Sequence, residues 1–148
     1  MTARVQTGDF DIGAEIARLR AADRGVGAIA SFVGTVRDVN DAATITGMTL
    51  EHYPGMTEAA LDEIIATARQ RFDIRDALVI HRVGTLEPGD QIVLVVVTSA
   101  HRGTAFDACE FIIDWLKTRA PFWKKERLPD GERWVEARAS DDEAAQRW

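Results

Sequence analysis

The sequence predicts an α+β fold: a single domain over residues 1–148, with a mixed or antiparallel sheet and flanking helices. Three observations carry this. Short turn signals, notably Glu87-Pro88-Gly89-Asp90 and Pro129-Asp130-Gly131, separate strand-like runs that helical crossovers would separate in a doubly wound sheet. Two long segments carry apolar residues at helical spacing. No repeat or linker divides the 148 residues, of which 46% are hydrophobic, and a chain of this size buries roughly 70% of its unfolded surface.

The first residues read as strand or coil. Asp11 is a possible cap for a short amphipathic helix with Ile12, Ile16 and Leu19 on one face and Gly25 beyond its end. Two strands follow, 26–36 and 45–53, joined through the polar loop Asp38-Val39-Asn40-Asp41. After the Pro54-Gly55 turn, Thr57 can cap a helix whose stripe is Leu61, Ile64, Ile65, Ala68 and Phe72. Residues 77–81 and 91–99 read as strands, the second apolar enough to be central and buried. The segment 104–120 predicts a helix with the stripe Phe106, Cys109, Ile113 and Leu116, which Pro121 stops. Strands 122–128 and 132–137 form a hairpin, and Ser140 with Glu143 matches a capping box for a last helix.

The net charge of −6, with 24 acidic residues against 18 Lys plus Arg, argues against a general affinity for nucleic acid. The longest apolar run, 92–97, is far too short to cross a bilayer, and no signal pattern opens the chain. A cytoplasmic protein is expected. The one cysteine, Cys109, excludes an internal disulfide and a Cys-rich zinc site, and its place on the stripe marks it as an inert packing residue. His52, His81 and His101 lie on separate segments without paired-ligand spacing, so no metal is expected. Gly25-Val26-Gly27-Ala28-Ile29-Ala30 superficially fits a dinucleotide fingerprint, but it lies between a helix and a following strand, the reverse of the required order.

Charge concentrates in one place. Residues 117–127 hold five cations and one acid, a net +4 against −6 for the whole chain, so the remainder carries −10. Lys117 falls on the extension of the apolar stripe, where partial burial and neighbouring cations would both lower its pKa against the pull of the helix dipole. In a strand, Lys124 and Glu126 share a face with Phe122 while Lys125 and Arg127 point the other way. His101-Arg102 sits where a buried strand exits into a helix, a place suited to phosphate or carboxylate. Arg37 ends the first long strand. Each has a plainer reading as a solvated or ion-paired surface cation.

Taken together, Leu50-Glu51-His52-Tyr53-Pro54-Gly55-Met56, Thr98-Ser99-Ala100-His101-Arg102, the run from Lys117 to Glu126 and Arg133-Trp134-Val135-Glu136-Ala137 resemble the large, catalytic subunit of molybdopterin synthase, over about residues 26–138. The resemblance implies an α/β-hammerhead fold and a homodimer carrying a small ubiquitin-like sulfur-carrier subunit at each end, a heterotetramer. The small subunit's C-terminal thiocarboxylate would enter a pocket and transfer sulfur to cyclic pyranopterin monophosphate, making the dithiolene of molybdopterin. It assigns catalysis to Lys117 and Lys124, and the substrate pocket to Thr35, Val36, Arg37, His101, Arg102, Lys125 and Glu126 with those lysines. No cofactor, nucleic acid or membrane enters this picture. A thiocarboxylate is already a sulfur nucleophile, so the chemistry asks for cations and a proton carrier and no reactive cysteine. Two other readings remain: a non-catalytic module that binds an anion or an acidic tail, and a nucleic-acid adaptor stacking bases on Phe122, Trp123 and Trp134. The net charge disfavours the second.

Overall fold

The structure, a computed structural model, describes residues 2–148. Its elements run β1 (Thr2–Gln6), α1 (Ile12–Ala22), β2 (Ala28–Thr35), β3 (Val39–Asn40), β4 (Ala43–Thr44), β5 (Gly47–His52), α2 (Met56–Arg71), β6 (Ile74–Arg82), β7 (Gly84–Leu86), β8 (Gln91–Ser99), α3 (Arg102–Arg119), β9 (Phe122–Leu128), β10 (Gly131–Val135) and α4 (Ala139–Gln146). One sheet has the order β1-β6-β8-β2 and is antiparallel except for the β1–β6 pair. The other, β10-β9-β5-β7, is wholly antiparallel. β3 and β4 form a small hairpin of their own. The predicted α+β class and mixed sheet are what the chain adopts.

β8 explains its own composition. Val93, Val95 and Val97 face α2 and α3, packing with Leu61, Ile64, Phe111 and Ile112, while Leu94 and Val96 face Leu19 of α1 with Leu78 and Ile80. Both faces of the strand are covered, so alternation disappears and the sequence reads as an unbroken apolar run. In a third cluster Met48, Leu50 and Leu86 of the second sheet pack with Val36, just past β2, and Ile92 packs against both this cluster and the main core.

Several expectations are corrected. The Asp11 carboxylate does cap α1, accepting from the Ala14 N–H at 3.0 Å. Thr57 does not cap α2: Gly55, at φ 86°, is the cap, and its N–H is met by the Glu58 carboxylate at 2.7 Å. The buried Thr57 hydroxyl instead accepts from the Tyr53 N–H and donates to the Pro121 carbonyl, both at 3.0 Å, tying the start of α2 to the end of α3. Ser140 does not open α4 either, since the helix starts at Ala139 with Arg138 as a cap lacking a side-chain bond. β1 and β7 are strands that short local pattern did not resolve.

The α3 stripe is displaced. Phe106, expected inside, is 64% exposed, and the buried face runs through Ala105, Ala108, Cys109, Phe111, Ile112, Trp115 and Leu116, with Ile113 only partly buried. Two alanines let the helix lie close to the sheet, and Phe106 stands about 100° round from Ala105. Phe106→Ala is therefore expected to change unfolding free energy by under about 0.5 kcal/mol, whereas Phe111→Ala should cost about 3–5 kcal/mol. Urea unfolding of the two variants checks this, and equal losses would contradict the register.

Candidate active site

A cleft of about 360 Å³ opens where the two sheets meet. Its walls come from the end of β2 and the following turn (Thr35, Arg37), β3 (Asn40), the last turn of α3 (Lys117), β9 (Lys124, Glu126) and the segment entering α4 (Arg138, Asp141). Strand alternation builds the floor: Lys124 is in register with Leu50 and Glu126 with Met48, so both point inward with the apolar face of the second sheet. Pro121 ends α3 directly after the turn that carries Lys117, and β9 returns along the cleft.

Glu126 is 2% exposed, and both of its oxygens are used. Oε1 accepts from Arg133 Nε at 2.9 Å and Oε2 from Asn40 Nδ2 at 2.8 Å. Asn40 then spends its remaining polar atoms on cations. Its Oδ1 accepts from Arg37 at 3.2 Å and from Arg138, and its carbonyl oxygen accepts from Arg133 at 3.0 Å. The turn after it places Asp41 at φ 50° and Ala42 at φ 61°, a left-handed pair that costs an alanine roughly 1 kcal/mol or more.

The two lysines face this network. Lys117 opens into the cleft beside the buried stripe. Protein packed about its stem pushes its pKa below the ordinary lysine value, the Lys124 charge and Arg138 add to that, and Asp141 opposes it. Lys124 is lowered for the same first reason, loss of water, with Arg138 and Arg37 adding and Asp141 and Glu126 opposing. Lys117 as a whole stands exposed at the cleft, while the direction of its shift and the part played by neighbouring cations agree with the sequence expectation.

Thr35, Arg37, Lys117, Lys124 and Glu126 thus converge. Four other candidates do not join them within one chain. The Val36 side chain is buried in the apolar cluster behind the wall, with its N–H bonded to the Asp90 carbonyl at 2.9 Å. Lys125 points to the opposite face, 3.6 Å from Glu132 and over the Trp134 ring. His101 and Arg102 stand exposed at the far end of α3, and the fifteen residues from Arg102 to Lys117 span about 22 Å of helix. Neither makes a side-chain ion pair among the described residues. Sequence reasoning missed Asn40, Arg138 and Asp141, which it treated as loop or helix-cap surroundings. No three His, Cys, Asp or Glu side chains gather as a metal site among the described residues.

The fold and cleft define a class: an α+β protein that concentrates cations in a concave site suited to anionic reactants. The family model of the MoaE protein matches residues 5–119. A molybdopterin synthase catalytic subunit from Ralstonia nicotianae is 63% identical over 147 residues, covering 99% of this chain and 84% of the relative. A solved structure, the molybdopterin biosynthesis MoaE protein from Burkholderia ambifaria, matches with a TM-score of 0.84 at 57% identity, covering 99% of this chain and 97% of that one. A chain in the protein–protein complex of subunits 1 and 2 of molybdopterin-converting factor from Helicobacter pylori shares the fold, with a TM-score of 0.75 at 21% identity and coverage of 92% and 91%. The chain belongs to the MoaE family.

Cys109 lies outside this chemistry. It is buried, its Sγ lies 4.0 Å from the Val95 carbonyl, and burial pushes its thiol up to about 11, with Glu110 adding to the rise. It should therefore resist a disulfide-exchange reagent at mildly alkaline pH while the protein is folded and react fully in denaturant. Rapid labelling of the folded protein would contradict its assigned burial.

Proposed function

We propose that the protein transfers sulfur from the C-terminal thiocarboxylate of a small ubiquitin-like partner to cyclic pyranopterin monophosphate, forming the dithiolene of molybdopterin, with residues 1–148 acting as one catalytic-subunit domain. The observation that carries this reading is the convergence of Lys117, Lys124 and Arg37 on one cleft in a chain of the MoaE family. Both reactants are anions, and cations fixed on packed elements hold them together without reorganisation. The thiocarboxylate sulfur forms the new bond to a pterin carbon, and the oxygen displaced there leaves with a proton. Water then frees the tail as a carboxylate, so each sulfur consumes one charged partner. Lys117, at the mouth of the cleft with a depressed pKa, is suited to carry that proton or to stabilise the acyl intermediate. Lys124 and Arg37 bind the anionic groups, with Thr35 on the wall and Glu126 holding the frame.

The same reading includes a homodimer within a heterotetramer, one small subunit on each copy. His101 and Arg102 fit it in a specific way. With about 22 Å of helix between Arg102 and the Lys117 of its own chain, a second copy related by a two-fold axis is the route by which the far end of α3 reaches a cleft. A cytoplasmic location completes the reading, and no helix among the described residues is long and apolar enough to cross a membrane.

Mixing the protein with thiocarboxylated partner and the pterin tests this directly. Wild type should yield dithiolene product. Lys117→Ala should remain folded by circular dichroism and lose about 100-fold or more in single-turnover rate. A non-catalytic anion-binding module would bind without turnover, and a folded Lys117→Ala within about threefold of wild type, a shift of under about 0.7 kcal/mol, would remove Lys117 from the mechanism.

A further inference from the structure

Behind the two lysines lies a recess of about 70 Å³, lined by Leu50, Leu116, Phe122 and His81 together with Lys117 and Lys124. Apart from the two amines, the imidazole is its polar group. His81, on β6, is 4% exposed. Its ring lies on that of Phe122 from the other sheet, centroids 3.7 Å apart and planes 17° from parallel, which leaves it no room to swing. Its Nδ1 is 2.8 Å from the Arg82 carbonyl oxygen. A carbonyl only accepts, so Nδ1 carries a proton, and in the neutral ring Nε2 is then left as the acceptor. Among the described residues Nε2 has no hydrogen-bond partner.

We propose that His81 is a positioning residue for the reaction: Lys117, which lines the same recess but makes no hydrogen bond to the ring in this structure, swings its ammonium onto the unpaired Nε2, and that fixed acceptor sets where Nζ stands. The proposal rests on the reading of Lys117 as the catalytic group. Burial drives the imidazole pKa down to about 3 against the hydrogen bond to Arg82, with Lys117, Lys124 and His52 pressing the same way, Lys117 the most strongly of the three. At neutral pH the ring therefore brings no further positive charge into a site that already holds two lysines.

An imidazole acceptor solves a problem a carboxylate would not. Lysine is a flexible four-carbon stem ending in a point charge, so it needs a fixed acceptor to hold one geometry. A carboxylate in that place would neutralise the charge that the anionic reactants require. Neutral Nε2 supplies direction and leaves the charge in place. The groups acting on Lys117 from the neighbouring elements are Lys124, Asp141 and Arg138. With the acceptor removed, the repulsion from Lys124 and Arg138 remains, and the ammonium form loses support. The lysine should then give up its proton at lower pH.

Nuclear magnetic resonance on the full chain tests this. In the wild type, the Nε2 resonance of His81 should be that of an unprotonated, hydrogen-bonded nitrogen, and Lys117→Met should move it while leaving Nδ1 in place. His81→Asn keeps an N–H near Nδ1 for the Arg82 carbonyl and lacks Nε2. In that variant the Lys117 titration should move to lower pH, and turnover with thiocarboxylated partner should fall about tenfold or more. His81→Gln, which restores a heteroatom near Nε2, should recover part of the rate. A purely structural ring would lower the melting temperature and leave the lysine titration alone. An Nε2 resonance indifferent to Lys117→Met overturns the proposal whether or not the asparagine variant folds, and so does a folded His81→Asn with the wild-type Lys117 titration. If Lys117→Ala keeps full turnover, the catalytic reading fails instead, and the His81–Lys117 contact stands or falls on the resonance measurement.

Discussion

A carboxylate that is 2% exposed must be fully paired or it destabilises the fold that buries it. Glu126 meets this demand through Arg133 and Asn40, and in doing so joins β9 to β10 and to the β3–β4 hairpin. Asn40 passes the constraint outward, since its Oδ1 receives both Arg37 and Arg138. The left-handed turn at Asp41 and Ala42 makes sense as part of this arrangement. A residue pair held in a sparsely populated backbone region persists where surrounding bonds over-determine it, and here Asn40, next to the turn, is bonded to the nearby Arg37 and to Glu126, Arg133 and Arg138 on three other segments.

The cleft's electrostatics follow from that frame. Burial lowers the proton affinity of both lysines, Lys124 and Arg138 add to this at Lys117, Arg138 and Arg37 add to it at Lys124, and Asp141 partly offsets the repulsion at each. Assembling like charges in this way is unfavourable until anions arrive. An acidic remainder keeps the attraction local, so the cleft can attract anions without making the whole surface a polyanion binder. Sulfur chemistry places no demand on the chain's own thiol, which agrees with Cys109 being packed under β8 and raised to about 11.

Much of this was legible in the sequence where the cause is local. The stripe of α2, the doubly covered β8, the hairpin at Pro129-Asp130-Gly131 and the alternation that points Lys124 and Glu126 inward all follow from periodicity and turn chemistry. What escaped depends on partners distant in sequence. β1 is defined by pairing with β6, and β7 by pairing with β5. The α3 stripe was misplaced because Phe106 counts for more than Ala105 or Ala108 on any hydrophobicity scale, whereas close packing on the sheet selects the small residues. Thr57 looked like a cap, but its hydroxyl serves a carbonyl 64 residues away. Asn40 and Arg138 lie 98 residues apart, and nothing near either one announces the other. The resemblance nominates the candidate residues, yet only the structure separates those that line one cleft from His101, Arg102 and Lys125.

If the Glu126–Asn40 network holds the cleft's cations in place, removing Asn40 should harm anion binding more than it harms folding. Calorimetric titration of cyclic pyranopterin monophosphate into wild type and Asn40→Ala measures this, with thermal melting to establish that the variant is folded. The expected result is a folded protein whose affinity is weaker by about tenfold, roughly 1.4 kcal/mol, because Arg37 and Arg138 have lost their common acceptor. A folded variant that binds the pterin as tightly as wild type would contradict the account.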